Sequence, residues 1–126
     1  MREKKANQPR LSEAKEKIRR GDIYWVDLPD SNGREIKDTH PALVVSNDRQ
    51  NTASPLIVII PITSLKEDDK IFSFQVPITL KERSVILVDQ IRTIDRDKFK
   101  DKIGEIDDRL MEGVERKIHF VLALKN

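Results

Sequence analysis

In DTHPALVVS (38–46) an ionisable ring sits one residue before a proline, and the proline opens an apolar, β-branched run, so His40 stands at a corner of the chain. An imidazole titrates near ~6.5 and can give or take a proton at neutral pH. Little else of that kind is available, because the chain has no cysteine and only two histidines, His40 and His119. A thiol nucleophile, a thiolate-held metal and a disulfide framework are excluded, and two imidazoles do not make a histidine-rich metal site. The candidate chemistry is proton transfer among imidazole, carboxylate and hydroxyl groups, with no metal and no cofactor implied. A solvated loop histidine without a role is the alternative at His40.

The elements that must position this group come from a chain of 126 residues, enough for one domain with a modest core. Charge divides it unevenly. Residues 1–20 hold 8 of the 24 Lys and Arg and 3 of the 22 Asp and Glu, a net of +5; residues 21–126 hold 16 and 19, a net of −3. The division is into a basic N-terminal arm (1–20) and a folded domain (21–126). Such an arm can follow a phosphate backbone or simply be solvated, and it is given no chemistry. Within it, Leu11, Ala14 and Ile18 recur at helical spacing behind Ser12, which predicts a short helix over 11–20. The longest apolar run, LIVII (56–60), is far below the ~20 residues of a membrane-spanning helix, and the charged N-terminus has no signal-peptide pattern. A soluble, cytoplasmic protein with no membrane partner is expected.

From Gly21 onward, short β-like runs alternate with turn residues. Strands are predicted at 22–28, 42–47, 56–62, 72–78 and 84–94, with spacings too short for crossover helices, so neighbours must be antiparallel in a small barrel or rolled sheet. The runs at 42–45 and 56–60 do not alternate and should be covered on both faces. Pro61 and Pro77 within strands imply edges or bulges. Of Tyr24 and Trp25, alternation should bury one and leave the other able to stack on a base. Near the C-terminus, Ile106, Leu110, Val114, Ile118 and Leu122 recur every four residues behind Asp107, predicting an N-capped amphipathic helix packed on the barrel.

Taken in order, GDIYWVDL, GREIKDTHP, ALVVSND, IIPIT, VDQIRTID and the C-terminal helix resemble the MazF/PemK family of toxin endoribonucleases over about residues 21–124. The resemblance implies a mainly β, small SH3-like barrel of the MazF/PemK/CcdB type with an amphipathic C-terminal helix. It also implies a homodimer that cuts single-stranded RNA without metal and is blocked by an antitoxin protein. His40 stands where the family's catalytic arginine is expected, and Arg34 in the same loop could return a guanidinium. Thr63 closes IIPIT as the family's catalytic threonine closes its strand, with Ser64 beside it. Asp89 and Gln90 match the DQ pair of PemK-type members, in which the acid is the base; Leu87 stands where those members carry arginine. Glu35 resembles the family's loop glutamate, and Arg92 is a further candidate for RNA contact.

Metal-free RNA cleavage needs a base for the ribose 2′-OH, a donor for the developing phosphate charge and an acid for the departing 5′-oxygen. The resemblance implies 2′,3′-cyclic phosphate and 5′-hydroxyl ends. The catalytic candidates are His40, Thr63, Asp89 and Arg34; those for substrate binding are Glu35, Ser64, Gln90 and Arg92. An imidazole and a carboxylate can divide acid and base duties if their environments separate them. Two alternatives remain, a degenerate RNA-binding member of the family and a CcdB-like gyrase-targeting protein. Arg49 reads as a solvated turn residue and His119 as structural or interfacial.

Overall fold

Strand β1 (Asp22–Leu28) sends Tyr24, Val26 and Leu28 into one core and Ile23 into another, and this alternation organises the molecule. A computed structural model describes residues 17–30 and 33–125. After β1 come β2 (Asp38–Val44), helix α1 (Asp48–Ala53), β3 (Leu56–Ser64), β4 (Val76–Thr79), β5 (Arg83–Ile86), β6 (Arg92–Asp95), β7 (Phe99–Glu105) and helix α2 (Asp108–Leu122). All pairings are antiparallel in the order β4-β5-β3-β2-β1-β7, with β6 also on β3. Strand β3 serves β6 along Leu56–Ile59 and β5 along Ile62–Ser64, and the sheet curls into a half-barrel. The mainly β barrel-type fold with a C-terminal helix is thus the one expected.

One core, including Tyr24, Val26, Val44, Ile59 and Phe99, lies on one face of the sheet; Tyr24 and Phe99 meet edge to face at 5.3 Å. The other, including Ile23, Leu43, Ile60, Ile62 and Val88, is closed by Met111 and Val114 of α2. Residues 42–45 are all buried, as a non-alternating run requires, whereas in 56–60 Ile57, Ile59 and Ile60 are buried, Val58 is part-buried and Leu56 is 44% exposed, so the start of that run is covered on one face only. Asp107 caps α2 by accepting from the Leu110 N–H at 2.8 Å. The four-residue stripe holds through Ile118 but not to Leu122, which is half exposed while Val121 packs on the core. A repeat of four drifts ~40° per step around a 3.6-residue helix, so the seam moves back one residue by the last turn.

Pro41, Pro61 and Pro77 all lie within strands. Val44 C=O accepts from Gly21 and Val45 N–H donates to Val58, so alternate β2 residues face β1 and β3, and Pro41 is one that faces β3. The β1–β2 ladder therefore runs through Pro41 to Asp38, which corrects the expected strand start at 42. His40 lies within the strand, and the corner is at Asp38, whose φ is 72°. Pro61 falls between the β6 and β5 pairings of β3, with its carbonyl accepting from Leu87 N–H. Pro77 lies on the edge strand β4.

Other boundaries differ. The run 84–94 is broken by a 3-10 turn at Val88–Gln90, and 72–75 forms a turn in which Phe72 and Gln75 exchange hydrogen bonds. Helix α1 and strand β7 were not foreseen; Arg49 is an exposed residue of α1. Ile18 is 1% exposed in the core with Tyr24 and Phe99, so the packed domain begins before Gly21. The helix expected over 11–20 has residues 11–16 outside those described. No helix among the described residues is long and apolar enough to cross a membrane.

Candidate functional site

The pairing of β2 with β3 runs Val44↔Ile59, Leu43↔Ile60, Ala42↔Pro61 and then stops. Pro41 faces β3 without an N–H to give, so the next bond of the ladder cannot form and the two strands part. Continued by two residues, the register would set Pro41 opposite Ile62 and His40 opposite Thr63. His40 and Thr63 both line the cleft of about 320 Å³ that opens there, with Trp25, Thr39, Pro41, Ser64 and Ser84 among its other walls. His40 and Thr63 are part-buried, whereas Ser64 is exposed.

The start of β2 is fastened beside the cleft. Thr39 Oγ1 donates to Asp27 Oδ1 at 2.5 Å across the β1–β2 pair. That bond holds the Asp27 carboxyl below the usual carboxylate range against the opposing effect of desolvation, and the Lys100 ammonium, 3.3 Å away, adds to the lowering.

A second group of predicted residues gathers around the loop before β2. Ile36 N–H donates to Gln90 Oε1 at 2.7 Å, and Arg92 Nη2 donates to Ile36 C=O at 2.7 Å. Gln90 and Arg92, expected to touch RNA, thus grip one backbone unit of the loop carrying Arg34 and Glu35. Burial pushes the Arg92 guanidinium below its ordinary value, opposed by the Glu35 carboxylate. Asp89 is exposed on the 3-10 turn before Gln90, and Arg34 is exposed in the loop. Neither lines the cleft that holds His40 and Thr63, so His40 and Asp89 do not share that cleft. Among the described residues no three His, Cys, Asp or Glu side chains converge as a metal site requires.

Comparison with known proteins places this geometry. Residues 19–122 match the family described as the PemK-like, MazF-like toxin of type II toxin-antitoxin systems. The chain belongs to this toxin family. It is 39% identical over 112 residues to endoribonuclease EndoA of Bacillus subtilis, spanning 85% of this chain and 96% of that protein. It is 33% identical over 111 residues to endoribonuclease MazF of Staphylococcus saprophyticus, spanning 85% and 92%. Among solved structures, MazF of Deinococcus radiodurans superposes with a TM-score of 0.73 at 24% identity, covering 85% of this chain and 97% of that one, which is a likeness of fold.

In this PemK/MazF-family chain the cleft at the end of the β2–β3 ladder combines an imidazole with hydroxyls and an aromatic wall. Sequence reasoning singled out His40, Thr63 and Ser64, which meet there, and Trp25, which joins them. It missed Thr39, Leu80–Glu82, Ser84 and Ile103. Only tertiary pairing brings β5 and β7 to this wall, and no local motif marks them.

Proposed function

We propose that this MazF-type endoribonuclease toxin cuts single-stranded RNA at selected sequences without a metal, through attack of a ribose 2′-OH on the adjoining phosphate. The P–O2′ bond forms and the P–O5′ bond breaks, leaving a 2′,3′-cyclic phosphate and a 5′-hydroxyl. The 2′-OH proton passes to a base, and the departing O5′ takes one from an acid. The observation that carries this reading is the meeting of His40 and Thr63 in one cleft. His40 serves proton transfer, and Thr63 hydrogen-bonds the phosphate with Ser64 beside it. Arg34 and Asp89 lie outside that cleft; the exposed guanidinium is the proposed phosphate contact and the exposed carboxylate the proposed base. Gln90 and Arg92 act through the loop they hold, and Glu35 meets a base edge. The metal-independent reading is the one the family resemblance implies, and a chain with no cysteine and two histidines agrees with it. An antitoxin partner follows from the family, and a homodimer working in the cytoplasm completes the proposal.

Incubation with a long single-stranded RNA, followed by sequencing of 5′ ends and analysis of end chemistry, tests it. Cuts at a recurring short sequence with 5′-hydroxyl ends are expected in the presence of a chelator. His40→Ala should lower the rate by about 10²–10⁴-fold, as loss of a general acid–base group does, and a loss below about tenfold removes His40 from the chemistry. Full activity in Asp89→Asn would leave the base role with another group. RNA binding without cleavage by the parent would favour a regulator, and inhibited DNA supercoiling with RNA untouched would favour a gyrase-directed protein.

A further inference from the structure

Trp25 is the chain's single tryptophan, it is 42% exposed, and it lines the cleft that His40 and Thr63 share. A large apolar ring exposed beside two polar candidates is unlike its neighbour Tyr24, which alternation buries at 4%. The strand opposite it, β7, is irregular. Strand β1 pairs with β7 at Tyr24↔Lys102 and at Val26↔Phe99, so the one residue between them on β1, Trp25, faces two on β7, Asp101 and Lys100. This is a bulge, the device by which a sheet strengthens its twist and re-aims a side chain. On its other side Trp25 pairs with Pro41, the residue that ends the β2–β3 ladder and lets the cleft open. Two irregularities, one on each side of Trp25, therefore meet at the same place.

We infer that Trp25 is a substrate-positioning residue on which a nucleobase flanking the scissile phosphate stacks. Pro41 backs the indole across the strand pair, and Ile103 and Leu80 continue the cleft's apolar wall. That wall takes a planar, uncharged face, while the hydroxyls of Thr39, Thr63 and Ser64 and the ammonium of Lys81 suit the sugar–phosphate beside it. Stacking of this kind accepts any base, because every base has a π-face, so Trp25 supplies affinity and alignment and leaves sequence choice to other contacts. The inference rests on the RNA-cleaving reading of this cleft.

The lone tryptophan makes the test direct. A single-stranded RNA oligonucleotide containing the cut sequence, with 2′-deoxyribose at the cleavage position to block attack, is titrated into the protein and indole fluorescence is followed. Saturable quenching is expected, with the same dissociation constant as an independent binding measurement. Trp25→Ala should raise that constant about 5- to 150-fold, the effect of losing one stacked base, while Trp25→Phe stays close to the parent. In cleavage of unmodified RNA the Ala variant should lose mainly in KM. Unchanged fluorescence at saturating oligonucleotide, or Ala and Phe variants binding equally well, overturns the inference even if the parent cleaves RNA. A parent that fails to cleave but shows the quenching and the Ala–Phe difference overturns the reaction and retains the stacking site.

Discussion

Thr39 and Gln90 are each tied to a partner outside the proposed chemistry, Thr39 to Asp27 and Gln90 to Ile36. The Thr39 hydroxyl holds the Asp27 carboxyl low, so Thr39→Val should move the Asp27 titration up toward the ordinary carboxylate range, as a carbon-detected NMR titration would show. The sign for stability follows. A carboxyl whose pKa is lower in the fold than in the unfolded chain stabilises the fold above the unfolded pKa, and that contribution is lost as pH falls through the folded value. The variant should therefore show a shallower loss of stability on acidification, by a small margin because Asp27 is solvent-exposed. An unmoved titration would assign the shift to Lys100 instead. On the loop side, Gln90→Ala removes the acceptor for Ile36 N–H. Exchange of that amide should quicken about 2- to 10-fold, the worth of one ordinary hydrogen bond, with RNA cleavage falling alongside. Faster exchange with unaltered cleavage would detach the loop's posture from the reaction.

Between elements, the parting of β2 from β3 comes from a missing N–H at Pro41. Pro41→Val restores a donor facing β3, and one more ladder bond, to Ile62 C=O, should form. The new amide at position 41 should be protected in hydrogen exchange, the cleft should narrow and RNA cleavage should fall without loss of stability. An unprotected amide there would mean that other contacts hold the strands apart. At the far end of the chain Asp107→Ala should cost about 1 kcal/mol in denaturant unfolding, as N-cap losses do, because the Leu110 N–H loses its acceptor. The α2 cap was legible because an acidic residue followed by an apolar repeat is a local pattern. So were β1 and β3, whose β-branched runs have one reading. Strand β7 was not, since FKDKIGE is mostly charged and takes its form from pairing with β1. The break in 84–94 was equally hidden, because it exists where β3 changes neighbours from β6 to β5. For the same reason the sequence marked His40 and Thr63 separately, and only register shows that they meet.

At the scale of the whole molecule, the charge division at residue 20 and the packing division do not coincide. Ile18 lies in the core with Tyr24 and Phe99, Arg19 N–H donates to the buried Asp22 carboxylate at 2.8 Å, and Arg20 N–H donates at 2.8 Å to Asp48, the first residue of α1. Gly21, with φ of 95°, then turns the chain into β1, its N–H given to Val44 and its carbonyl accepting from Ile106. A net charge of +5 over residues 1–20 makes the segment look like one solvated arm, yet its last residues are structural, and the Arg20 guanidinium donates to Val45 C=O and pairs with Glu115 of α2. Two truncations separate these roles. The chain lacking residues 1–16, which keeps Ile18, is the reference. Removal through Arg20 should lower stability by at least about 2–5 kcal/mol, because the buried isoleucine is lost together with the bonds to Asp22 and Asp48. Equal midpoints for the two truncations would show that the sheet closes without Ile18 and would return the domain boundary to the charge division at residue 20.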